Sequence, residues 1–234
     1  MTTTPITMPA TSRRAFLASA ATLALAGCGS LLSPSNPPNQ IYVLDPPFSA
    51  IPGPAVDWAL VITQTDVPSV YDTERLALKR NETMDYYANT QWTDSTPRLL
   101  QSLMVEAFEK SGRIQGVARD TGGVHGDFIL APELRHFEAL YDQGDGAPRI
   151  DVNIVVKLLS LPRREVLATH DAFQRVRAGA NSVPAVVQAF NQATGAAIED
   201  IVQWTLGAGT TQAPAPDAGP APAPPMHRRR HRPR

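Results

Sequence analysis

Between Ile150 and Leu158 every second residue is apolar: Ile150, Val152, Ile154, Val156 and Leu158, with Asp151, Asn153 and Lys157 among the residues between them. A period of two means a β-strand with one face turned to a core, and a slip of one residue would expose all five apolar side chains. Leu161-Pro162-Arg163-Arg164 then turns the chain, and Glu165 to Phe173 returns as an antiparallel partner. The single cysteine, Cys28, rules out an internal disulfide. The fold must therefore be held by burial around this hairpin.

Other segments follow the same logic. Ile41 to Leu44 reads as a strand ended by Asp45-Pro46-Pro47, and Trp58 to Thr63 as a second, with Trp58, Leu60 and Ile62 on one face. Glu74 to Lys79 alternates with Leu76 and Leu78 inward, and pairs across the Arg80–Glu82 turn with Met84 to Ala88. Asp94-Ser95-Thr96-Pro97 is a cap sequence with proline just inside a helix start. Leu99, Leu100, Leu103, Ala107 and Phe108 then take helical spacing as far as Ser111-Gly112. Ile114 to Ala118 and Phe128 to Leu130 read as strands, and Pro132 marks the latter as an edge or bulged strand. A final helix runs from about Val183 to Leu206. The fold class expected is α+β, a mostly antiparallel β-sheet packed against two main helices.

The ends are of a different character. Arg13 and Arg14 precede an apolar run that finishes Leu25-Ala26-Gly27-Cys28. Basic start, apolar middle and small residues before the cut make residues 1–27 a signal peptide. The ending resembles a lipobox, in which the Cys28 thiol takes a diacylglyceryl group and becomes the first mature residue. Each buried acyl methylene contributes about 0.8 kcal/mol, so several chains anchor stably. Ser12-Arg13-Arg14-Ala15-Phe16-Leu17 resembles a twin-arginine export motif; an ordinary basic leader fits as well. Gly29 is not the aspartate that retains many enterobacterial lipoproteins at the inner membrane, which favours the periplasmic face of the outer membrane. Residues 28–39 form the lipidated N-terminus and a Pro-rich tether, 40–206 the domain, and 207–234 a disordered Ala/Pro-rich, Arg-terminated tail.

Charge separates these pieces. Setting aside the seven arginines of leader and tail leaves 14 of the 21 basic residues; setting aside Asp217 leaves 21 of the 22 acidic ones. A body near −7 argues against a nucleic-acid surface and against broad adsorption to anionic lipid.

An ordered set of segments carries a family resemblance: the early Tyr-Val-Leu strand, Tyr71 to Leu78, Asp85-Tyr86-Tyr87-Ala88-Asn89, Gln91-Trp92 and Pro97-Arg98-Leu99-Leu100. Glu133 to Ala139 and Val186 to Asn191 extend it. Together with the lipobox, Ile41 to Leu206 resembles the ABC-type transport auxiliary lipoproteins, a family that includes PqiC-like proteins. The resemblance implies a non-catalytic periplasmic lipoprotein serving intermembrane lipid transport and outer-membrane integrity. It implies as partners an MCE-domain protein and an ABC permease–ATPase complex, with no cofactor. Pro132 and the Arg-rich tail depart from the family pattern.

The residues themselves offer little chemistry. Asp142-Gln143-Gly144-Asp145-Gly146 lacks the later glutamate of a calcium loop and reads as a hairpin turn. His125 and His136 sit near Asp127 and Glu138, without zinc spacing, and read as solvated strand-face side chains. There is no nucleophile elbow and no phosphate loop, so no catalytic residue and no metal ligand is assigned. Tyr86, Tyr87 and Trp92 are candidate partner-binding residues, with sheet and helix core as the competing assignment. A homo-oligomer is compatible with the sequence. The alternative function is a structural or envelope-assembly lipoprotein that binds another outer-membrane component.

Overall fold

The computed structural model describes residues 38–122 and 126–212. The chain divides into two units, Met1–Pro38 and Asn39–Arg234, and every element below lies in the second. The elements in order are β1 (Gln40–Tyr42), β2 (Val56–Ile62), β3 (Arg75–Arg80), β4 (Thr83–Trp92), α1 (Thr96–Lys110) and β5 (Ile114–Arg119). A short 3₁₀ turn follows, then β6 (Phe128–Tyr141), β7 (Arg149–Ser160), β8 (Glu165–Arg177) and α2 (Val183–Gln212). All eight strands join one sheet. The long ladders β6–β7 and β7–β8 and the shorter β3–β4 are antiparallel, while β1–β4, β2–β5, β2–β6 and β3–β6 are brief parallel pairings. The fold is α+β, as the periodicities predict.

The hairpin on which the sequence turns is the best-formed part. Ile150, Val152, Ile154, Val156 and Leu158 are all fully buried. Beside them β6 is a single 14-residue strand paired along both edges, so of the two readings of Pro132 the edge strand is corrected. The Pro132 carbonyl accepts from the Asp66 N–H at 2.9 Å, on the edge away from β7. A donor at position 132 would point the same way, so proline costs the β7 ladder nothing. The bulge lies further on, between Leu134 and His136. A register shift between Arg75 and Ala77 likewise alters β3: Leu76 and Ala77 are both buried, and Leu78 is half-buried.

Helix α1 packs on β2 and β5, α2 on β7 and β8, and the two helices touch each other. Ser95 occupies the cap position of α1 but makes no side-chain cap bond; its Oγ accepts from Arg98 Nε at 3.2 Å. Helix α2 continues to Gln212, past Leu206, where the composition turns small. Those small residues are used for close approach. A Cβ on Gly209 would run into the Trp58 ring. Trp92, Phe137 and Phe190 meet between sheet and α2, with Phe190 5.4 Å from Trp92 edge-to-face and 4.9 Å from Phe137.

Trp92 is 1% exposed, and its Nε1 has no hydrogen-bond partner among the described residues. Trp92→Ala should therefore lose about 3–5 kcal/mol in urea unfolding. Trp92→Phe should lose less, since it keeps a ring and removes an unpaired donor.

A polar network and an exposed aromatic stack as candidate interaction site

The face of β6–β7–β8 turned away from α2 is built in cross-strand rows. Glu138, Asp151 and Arg175 form one row, His136, Asn153 and Phe173 the next, and Leu140, Arg149 and Arg177 a third. Glu138 and Asp151 are 2% and 6% exposed and directly opposite each other. Two facing buried carboxylates are unfavourable unless each has its own donors.

Each has them. Glu138 Oε2 accepts from the Tyr71 hydroxyl at 2.6 Å and from the Phe137 N–H at 2.7 Å, and His136 Nδ1 lies 3.0 Å from Oε1. Asp151 takes a bidentate pair from Arg149, Nε at 2.7 Å and Nη2 at 3.0 Å, with Arg175 Nε at 3.9 Å. Arg149 reaches on to Asp142 at 2.9 Å, which also receives both Nη groups of Arg177 at 2.7 and 3.1 Å. The hydrogen bond from Arg177 holds the Asp142 carboxyl below the usual carboxylate range, and the bond to Asp151 raises Arg149. Burial, and then the bond to Glu138, pushes the Tyr71 hydroxyl well above the ordinary phenol value. Burial and the bond to Tyr141 do the same for Tyr87.

Tyr71 gets there because the segment between β2 and β3 runs along β6. Asp66 bridges Glu133, and Tyr71, 5% exposed, then closes over Glu138. Next to this covered acid lies an open aromatic stack. Phe173, 39% exposed, has the His136 ring 6.0 Å away at 15° and the Arg175 guanidinium 4.1 Å from its centroid. A fixed aromatic ring between two cationic or protonatable groups is surface chemistry for binding. Across the domain His170 Nε2 sits 2.9 Å from Asp200 Oδ2 and stacks on Trp204, tying β8 to α2. Neither histidine has a serine, threonine or cysteine among its hydrogen-bond partners in the described residues.

The sequence candidates are scattered by the fold. Trp92 lies in the core. Tyr86 donates to the Val70 carbonyl at 2.9 Å under the Arg75 guanidinium, and the Tyr87 hydroxyl meets that of Tyr141 at 2.9 Å. The three do not form one surface. Cys28, Arg13, Arg14, His125 and the tail from residue 213 lie outside the described residues. The Asp142–Gly146 stretch is the β6–β7 turn, and its carboxylates face arginines: Asp145 pairs with Arg80 at 2.9 Å.

Tyr71, Arg149, Asp151, Phe173 and Arg175 were not singled out by motif reasoning. The one available signal was the Arg149–Asp151 pair, opposite charges two residues apart and so on one face of the strand.

The model of the ABC-type transport auxiliary lipoprotein component matches residues 42–202. The chain belongs to this family. Solved structures of similar fold agree with this. Protein XCC0632 from Xanthomonas campestris is 27% identical, with a TM-score of 0.69 over 74% of this chain and 97% of that one. An uncharacterized protein is 12% identical, with a TM-score of 0.55 over 71% and 98% of the two chains. No curated protein sequence matches. For a transport auxiliary lipoprotein, a rigid polar face with an exposed aromatic stack is a candidate contact for another component.

Arg149→Met strips Asp151 of its two donors and should cost about 3–5 kcal/mol in urea unfolding, with Arg149→Met/Asp151→Asn recovering most of it. A raised Tyr71 means that the native state keeps a proton which the unfolded chain releases above about pH 10. Stability should hold below that pH and fall above it. Tyr71→Phe should make the alkaline decline shallower, leaving the contribution of Tyr87.

Proposed function

We propose that this chain is a membrane-anchored periplasmic lipoprotein acting as a non-catalytic auxiliary component of an ABC/MCE-type intermembrane lipid transport system. Its place in this reading is the periplasmic face of the outer membrane, where it maintains outer-membrane integrity. The observation that carries the reading is the family match over residues 42–202 in a chain whose leader ends Leu25-Ala26-Gly27-Cys28. Among the described residues no helix is long and apolar enough to cross a membrane; in this reading the attachment is through acylated Cys28. The partners are an MCE-domain protein and, through it, the ABC permease–ATPase complex, which supplies the energy. Copies of this chain side by side would give such a partner a multivalent base. The stack of Phe173, His136 and Arg175 is the proposed contact, and Tyr86 and Tyr87 lie on strand β4, away from it.

The test is capture of the lipidated, full-length protein with an MCE-domain protein from solubilised envelopes. Co-capture is expected, and Phe173→Asp should reduce it about tenfold or more while leaving the unfolding midpoint near that of the wild type. Cys28→Ser should yield a folded protein released from the membrane fraction. No co-capture, together with normal outer-membrane lipid composition in a deletion strain, would leave the envelope-assembly role instead.

A further inference from the structure

Strand β1 breaks the usual pattern of an edge strand. It stands at the end of the strand order and pairs only with β4. Edge strands in soluble proteins carry charge or proline outward to discourage association. Here the outward side chains are Ile41 of β1 and Val43 just after it, at 61% and 58% exposed, while Tyr42 and Leu44 turn inward. These two are the most exposed large hydrophobic side chains among the described residues.

The surrounding sequence is uncharged to match. From Ala15 to Leu44 there is no Asp, Glu, Lys, Arg or His, and the first charge is Asp45. The stretch leading to Ile41 and Val43 therefore carries no ion of its own into an apolar layer; the charges nearest in chain and sheet are Asp45, two residues after Val43, and Arg75, across β4 in the row of Ile41 and Gln91. Two side chains beside Ile41 already have partners: Asn39 Nδ2 donates to Gln91 Oε1 at 2.9 Å, and the Tyr42 hydroxyl to Gln40 Oε1 at 2.8 Å. The chain from Cys28 to Ile41 reaches at most roughly 45 Å even when fully extended. A lipid anchor on Cys28 thus holds Ile41 close to its bilayer, at an effective concentration high enough for a weak contact to be occupied.

We propose that Ile41 and Val43 form a second, interfacial membrane contact, seated in the headgroup layer of the bilayer that holds the acyl chains of Cys28. This rests on the lipoprotein reading above. The contact is apolar and fits neutral lipid, because the body of the domain is acidic.

Acylation of Cys28 consumes the only native thiol, so Val43→Cys provides a unique labelling site in the full-length protein. Labelled with an environment-sensitive fluorophore and reconstituted in phosphatidylcholine vesicles with brominated acyl chains, position 43 should shift to the blue and lose about half its emission or more. Val166→Cys, an equally exposed site on β8, should do neither. Acylated, vesicle-bound protein with an unquenched label at position 43 overturns the proposal and leaves the anchor standing. A blue-shifted, unquenched label that strengthens with protein concentration assigns the strand to a second copy and also overturns it. A mature N-terminus without acyl mass removes the anchor reading and this contact together.

Discussion

The long strand β6 has partners along both edges, and the rest of the sheet takes its register from it. One edge pairs with β7 from Phe128 to Leu140. The other is divided: β2 takes Phe128 to Leu130, Asp66 bridges Glu133, and β3 takes Ala139 to Tyr141. Two separate parts of the chain are thereby locked to a single strand, and the segment joining them must run along its middle. That constraint delivers Tyr71 to Glu138. The aromatic contact of Trp92, Phe137 and Phe190 then fixes α2 to the same strand from the opposite face.

The local patterns that a sequence displays were those of burial on one face. Ile150 to Leu158 announced β7 because its apolar set is intact, and Pro97 with Leu99 to Phe108 announced α1. Pro132 misled because a proline is harmful only on an edge that needs its donor, and which edge that is depends on a partner far away in sequence. Asp151 and Asn153 looked like solvent-facing residues for a related reason. Arg149 and Arg175 close on Asp151, and Asn153 donates to Asp171 on the neighbouring strand; alternation carries no information about that second layer. Gly207 to Gln212 looked like the start of the tail because it lacks large side chains, yet close packing of Gly209 on Trp58 is what an absent side chain permits.

The polar face illustrates a division between rigidity and recognition. Asp151, Arg149, Asp142 and Arg177 satisfy one another in a continuous chain, and Glu138 beside them is held by Tyr71, His136 and the Phe137 N–H, which makes the network structural. What remains available is the stack at its margin, where Phe173 is held in place by His136 and Arg175. A fixed, pre-ordered aromatic loses little freedom on binding. In the proposed role this suits a component that is tethered, performs no turnover and acts by meeting a partner in the space between two membranes.

The most direct measurement is photo-crosslinking in growing cells from a photoreactive amino acid placed at position 173 of the full-length chain. The adduct expected is with an MCE-domain protein, and it should vanish when Cys28→Ser releases the chain from the membrane. An adduct only with an outer-membrane assembly component, or none at position 173 in a protein correctly anchored, would contradict a role in lipid transport through this face.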